Sequence, residues 1–253
     1  MKTVDLNADM GESFGDWRLG QDEALMNIVS SANIACGFHA GDPDVMARTM
    51  RLAAARGIGI GAHPGFPDLQ GFGRRRIEIP AGTLANMIRY QLGAALAMAR
   101  AAGGTVRHFK LHGALSNMAA ADPDLARTCF AAAREIAPDI ILVVLAATPM
   151  EAAARALGGP WAGEIFADRA YNADASLVDR RQPGAVIHNA ADAARRMRAM
   201  IGAGAILTAD GTHIPARIDT ICVHGDTPEA VEIARAVRAG LETDGLIIAP
   251  FGG

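Results

Sequence analysis

The chain has 253 residues, 51% of them hydrophobic, and a net charge of −3 at pH 7 with no long acidic or basic block. That is enough apolar material for one large α/β domain spanning 1–253, and the even charge argues against nucleic acid or a membrane surface as partner. Aromatic residues, at 5%, are too few for base-stacking platforms, and no apolar run reaches membrane-spanning length. The opening MKTVDLNADM lacks the basic region and apolar stretch of a secretory leader. Cys36, Cys129 and Cys222 are odd in number and lack C-x-x-C spacing, so they read as reduced thiols of a cytoplasmic protein.

In chain order, Val4–Met10 reads as a strand whose polar end (DLNADMGE) carries Asn7, Asp9 and Glu12. Ser31–Cys36 leads into NIACGFHAGD and His39, with Cys36 inside the strand as a packing residue rather than a nucleophile. Asp42-Pro43 sets a capping carboxylate before a proline at the first helical position, which accounts for Asp42. Met46, Met50 and Ala53 mark the buried face of that helix. Gly57–His63 is the next strand and ends on His63 in GAHPGFPD. Gly65–Arg76 (GFPDLQGFGRRR) is too glycine-rich for a helix and too long for a simple turn. It resembles a lid, with Arg74 and Arg75 available to an anionic group and Arg76 read as solvated. Leu84, Ile88, Gln91, Leu92, Ala95 and Met98 mark a long helix. In the strand Val106–His112, Lys110 and His112 stand two apart and share a face. Lys2 is the only other lysine. A lysine inside the fold must meet a carboxylate (Asp5, Asp9 or Glu164) or a bound anion.

Asp122-Pro123 and Thr148-Pro149 repeat the helix-start chemistry on either side of the strand Ile140–Ala146, and Thr148 with Glu151 fits a capping box. Gly163–Asp168 and Ala185–His188 read as strands. The segments EIFADRAY and LVDRRQPGAVIHN offer Asp168, Arg169, Tyr171 and Arg181 as site candidates. Ala205–Ala209 reads as a strand, and Leu207–Val223 contains Ala-Asp-Gly and reads as a hairpin. Thr220–His224 ends in ICVHGD, where Asp226 flanks a cap at Thr227 ahead of Pro228. Val231, Ala234, Val237 and Leu241 mark the face of the closing helix.

Alternating strands and helices predict a parallel sheet. In an open sheet the site residues gather at one switch point. Here nearly every strand brings a polar terminus. That predicts a distorted (β/α) barrel of seven or eight mostly parallel strands, its alternation broken by the hairpin. Barrel sites form at the carboxyl ends of strands, so Asp9, Glu12, His39, His63, Lys110 and His112 are expected in one site. Asn7, Arg74, Arg75, Asp168, Arg169 and His224 are expected around it. Carboxylates and imidazoles there can hold a divalent metal, through Asp9, His39 and His63, or do acid–base work. Taken singly, each also reads as a turn residue or a satisfied core histidine. No phosphate-binding loop, dinucleotide glycine motif or nucleophile elbow is present in the sequence.

Together DLNADMGE, NIACGFHAGD, GAHPGFPD with GFGRR, FKLHGALSN, FADRAY, LVDRRQPGAVIH and ICVHGDTPEAV resemble the LamB/YcsF family, from Val4 to about Val231. Leu111 and Ser116 depart from the proline and tyrosine common at those places. The resemblance implies a barrel of the glycoside hydrolase/deacetylase type. It also implies the A subunit of an ATP-dependent 5-oxoprolinase, which opens the 5-oxoproline lactam to glutamate. ATP is then the co-substrate, with magnesium or a site metal as the divalent ion, and subunits B and C are the partners. In that reaction Asp9 or Glu12 would be the general base. His39 and His63, with or without a metal, would orient water or the leaving group, and Lys110 or Arg74 would hold the substrate carboxylate. The alternatives are a stand-alone metal-dependent deacetylase or amidase, and a non-catalytic metabolite-binding subunit.

Overall fold

In the first strand, β1 (Thr3–Met10), every residue from Val4 onward is buried. Val4, Leu6, Ala8 and Met10 alternate with Asp5, Asn7 and Asp9, so one face is apolar and the other polar. A strand like this cannot sit at a solvent edge. It turns its apolar face to covering helices and its polar face into a closed interior. The computed structural model of the chain describes residues 2–225 and 228–251 and shows that closure.

After β1 come α1 (Asp22–Leu25), β2 (Ser31–Ala35), α2 (Pro43–Ala55), β3 (Gly59–His63), α3 (Ala81–Ala101) and β4 (Val106–Lys110). Next are α4 (Gly113–Ala121), α5 (Pro123–Ile136), β5 (Ile141–Leu145), α6 (Pro149–Leu157) and β6 (Trp161–Phe166). The last part comprises α7 (Ala190–Ala203), β7 (Ala205–Leu207), β8 (His213–Pro215), β9 (Thr220–Val223), α8 (Ala230–Thr243) and β10 (Ile247–Ile248). Strands β1 to β6 and β9 pair in parallel in that order, and β9 returns to β1, closing a seven-stranded barrel. β10 adds to the start of β1 through Thr3 and Val4. The register sets Asp9 beside Asn33, Asn7 beside Cys222 and Asp5 beside Thr220, so polar side chains stack in layers up the barrel.

The helix starts follow the sequence chemistry. Asp42 accepts from Val45 N at 2.8 Å, and Asp122 accepts from the N–H groups of Asp124 and Leu125. The capping box at Thr148 is rearranged. The Thr148 hydroxyl donates back to Leu145 O at 2.7 Å, and Glu151 accepts from Ala147 N, one residue before the cap. The helix face of α3 is as read, except that Met87 and Ala99 are buried and Met98 is only half-buried. Its Gln91 brackets Gly65 with two hydrogen bonds of 3.0 Å and so ties the glycine-rich segment to the helix.

Two strand expectations need correction. Ala185–His188 is not a barrel strand: Val186 makes one isolated antiparallel bridge to Arg169, because this stretch folds back over the segment following β6. Ala205–Ala209 shortens to β7, which pairs antiparallel with β8 across the Ala-Asp-Gly turn, outside the barrel. The hairpin is therefore present, and the barrel has seven strands. β4 stops at Lys110, and His112 becomes the N-cap of α4. Asp226 and the expected cap Thr227 lie outside the described residues. Gly61 lines the interior where the His108 ring crosses it, and a Cβ there would collide with that ring.

Candidate active site

The carboxyl ends of the strands open into a cavity of about 840 Å³, lined among others by Asp9, Glu12, His63, Lys110 and His112. Asp9 lies at its floor. Its Oδ1 accepts from Lys110 Nζ at 3.0 Å and from Asn33 Nδ2 at 2.8 Å, and its Oδ2 stands 3.3 Å from His63 Nε2. Burial works to raise the Asp9 pKa, but the charges of His63 and Lys110 overcome it and hold the carboxyl well below its usual range. Lys110 also approaches Glu164 Oε1 at 2.9 Å, Cys222 Sγ at 3.0 Å and Asn7 Oδ1 at 3.4 Å. Burial works to lower its pKa, but Asp9 and Glu164 outweigh burial and raise it, so the ammonium is permanent. Cys222 stays a thiol, since burial pushes it well above its ordinary value.

Of the two readings of Lys110, the geometry favours the internal ion pair. Its three N–H groups are taken up by Asp9, Glu164 and Cys222, which makes it the residue that positions Asp9. The partners are two of the three expected carboxylates. Asp5 lies a layer lower, where it accepts from the hydroxyls of Ser30, Ser31 and Thr220.

Above Asp9 the histidines form a compact group. His63 Nδ1 lies 2.9 Å from Lys110 O, and His112 Nε2 lies 2.8 Å from Phe72 O. A carbonyl only accepts, so each of these nitrogens carries its proton. The other two, His63 Nε2 and His112 Nδ1, then face each other at 3.0 Å. Two neutral rings would oppose lone pair to lone pair. The pair is complete only with one further cation between them, a proton or a metal ion. His112 contributes its lone pair, because burial and the charge of His63 push its pKa down to about 3. His39 stacks on His112 with ring centroids 3.7 Å apart, is 1% exposed, and has no hydrogen-bond partner at either ring nitrogen among the described residues. Its Nε2 is 4.0 Å from Glu12 Oε1. Donor atoms of Glu12, His39, His63 and His112 all lie within 4.8 Å of one another. Buried, unpartnered imidazole nitrogens beside a carboxylate form a donor set that suits a divalent transition metal. Asp9, expected with His39 and His63, falls instead in a second such group with Cys222 and His224.

The remaining expected residues are distributed around this centre. His224 Nδ1 is 2.8 Å from Asp168 Oδ2, and its ring stacks on Phe166. Arg74 lines the cavity and lies over the Phe72 ring, and Arg169 lines it too. Asn7 sits below the floor, bonded to Glu164 and Thr220. Arg75 is turned to Asp68 and does not line the cavity. Arg181 pairs with Asp179, and the Tyr171 hydroxyl accepts from Phe166 N. Cys36 is a packing residue whose thiol burial pushes up to about 12. Sequence reasoning passed over Asn33, which bonds Asp9, Asn7 and His108 at once. A polar residue in the middle of a buried strand was the available signal.

A closed parallel barrel with acid, imidazole and amine groups converging at the carboxyl ends of its strands defines a (β/α) barrel protein whose cavity is equipped for acid–base chemistry. The fold of the family 4 carbohydrate esterase from Streptomyces lividans is similar, with a TM-score of 0.52 at 10% identity over 99% of this chain and 93% of that one. The chain belongs to the LamB/YcsF family, whose model matches residues 4–253. It is 62% identical to the A subunit of 5-oxoprolinase from Ruegeria pomeroyi over 99% of both chains. It is 52% identical to the same subunit from Nitrobacter hamburgensis over 98% of both. The crystal structure of the lactam utilization protein from Thermus thermophilus superimposes with a TM-score of 0.92 at 43% identity, covering 99% of this chain and 100% of that one.

Proposed function

We propose that the chain is the lactam-opening A subunit of an ATP-dependent 5-oxoprolinase, working in the cytoplasm with subunits B and C. The observation that carries this reading is full-length identity of 62% to a protein of that name. The cavity supports it, with an ionised acid, an imidazole pair and arginines around one small space.

A five-membered lactam is a resonance-stabilised amide in a nearly unstrained ring, so water opens it slowly. Transfer of a phosphoryl group from ATP to the amide oxygen makes the carbon a better electrophile. One water then adds, the C–N bond breaks, and the ring nitrogen leaves as the amine, giving an acyl phosphate. A second water releases phosphate and glutamate. Asp9 is too weak a base to take a proton from water at neutral pH, because its neighbours hold it ionised. Its negative charge instead stabilises a proton on the His63–His112 pair, and Lys110 and Asn33 fix its orientation. Glu12, on the cavity wall, takes the proton of the attacking water, and the His63–His112 pair returns one to the leaving nitrogen. Arg74 holds the substrate carboxylate. Glu12, His39, His63 and His112 are the residues that would hold a divalent metal, which when bound supplies Lewis acidity and activates water.

The test is glutamate release from 5-oxoproline, with and without ATP and the B and C subunits. ATP-dependent release only in the full set is expected. No release in any combination overturns the proposal. ATP-independent amide hydrolysis by the chain alone would support a stand-alone amidase instead.

A further inference from the structure

The cavity is larger than one lactam requires. About 840 Å³ is the size of sites that enclose drug-sized ligands, whereas the substrate proposed above is a single small ring with one carboxylate. Its charge is also out of keeping with the molecule. The chain is net −3, yet among the described residues six arginine and lysine side chains against three carboxylates line this space.

In the inner half, Lys110 and Asp9 offset each other. The surplus lies in the outer half and comes from three walls. The segment after β3 brings Arg76, the segment after β6 brings Arg169 and Arg180, and α4 contributes Ser116 and Asn117. The first residue of α4, Gly113, lines the same space, so the positive end of that helix opens toward it. Arg169 is the most informative of these residues. It is 5% exposed, and its hydrogen bonds go to the main-chain carbonyls of Val178 and Ala185, which do not neutralise it. Burial first, and then the charge of Arg180, pull its pKa down to about 10, and the nearby charge of Asp168 offsets only part of this. A buried guanidinium crowded by another is stabilised by a multivalent anion, and the planar forks of arginine match phosphate oxygens.

We propose that Arg76, Arg169 and Arg180, with Ser116 and Asn117, bind the phosphate groups of a second ligand while the lactam lies against Asp9 and His63. The spare volume and the identity of that ligand rest on the function proposed above; the charge stands without it. The shared chemistry is a phosphate, from either the polyphosphate tail of a nucleoside triphosphate or a phosphoryl group carried on the substrate.

Calorimetric titration of the full chain with inorganic triphosphate, a non-hydrolysable ATP analogue and inorganic phosphate tests this. Saturable binding is expected, weakened roughly ten-fold by Arg180→Glu or Arg76→Glu through lost charge-assisted hydrogen bonds. Arg195→Glu, on the exposed face of α7, should leave it unchanged. Competition between the analogue and triphosphate assigns the site to the nucleotide, and binding of inorganic phosphate without the analogue assigns it to a phosphorylated substrate. Either result supports the proposal. No binding of any probe, or binding that both cavity variants leave intact, overturns it. If no probe bound while the assembled complex still released glutamate, the lactam-opening reading would stand and the phosphate site would fall.

Discussion

Lys110 joins two carboxylates that would otherwise face each other in the barrel interior. Its Nζ lies 3.0 Å from Asp9 and 2.9 Å from Glu164. Removing one member of a buried ion pair strands the other charges and costs about 3–5 kcal/mol. Lys110→Met should lose that much in urea unfolding at pH 7. Adding Glu164→Gln should recover part of it, because one of the stranded charges is gone; two losses that simply add would show that the groups are uncoupled. How readable these residues were depends on spacing. Asp9 and Lys110 announced themselves as charges in apolar runs. Glu164 was reachable only as one of three possible partners, since which carboxylate meets the ammonium is set by register between strands distant in sequence. Asn33 gave a weaker signal, a polar residue in a buried strand, because an amide carries no charge that demands a partner.

At the scale of the element, period-2 alternation was the strongest signal and was only partly used. Asp5, Asn7 and Asp9 on β1, His108 and Lys110 on β4, and Thr220 and Cys222 on β9 all turn inward, which is why the barrel core is polar. The expected strand Ala185–His188 failed because a short apolar stretch carries no information on whether a pairing edge is free, and the barrel had already closed without it. Gly61 shows how closely β3 and β4 fit. Gly61→Ala pushes a methyl into the buried His108 ring and should destabilise by about 1–3 kcal/mol, as overpacking does. His108→Ala introduced alongside should restore part of that loss in urea melts. A substitution that proved neutral on its own would mean that the imidazole can move aside.

For the molecule as a whole, buried histidines set the response to acid. His108 and His112 are pushed down to about 3 by burial, and burial likewise holds His39 well below its ordinary value of 6.5. In the unfolded chain these three take up protons as pH falls through 6.5, while in the metal-free fold they do not. Stability is therefore complete above that pH and is lost below it, at up to about 4 kcal/mol per pH unit for three groups. Asp5 acts in the opposite sense. Burial raises it from 3.8 to about 6, so between those values the folded state holds a proton that the unfolded state has released, which offsets part of the loss. Urea unfolding followed from pH 7 to pH 4 should show the decline, and Asp5→Asn should make it steeper between pH 6 and pH 4. A flat profile would mean that the imidazoles are protonated in the fold.

Closure through β1 has a consequence for how the chain is made. β1 is translated roughly 210 residues before β9, its second neighbour in the barrel. At about 5–20 residues per second that is roughly 10–40 s in which one edge of β1 has no partner. During that interval a strand with one apolar face is open to capture by chaperones, or by the β1 of another nascent chain on the same message.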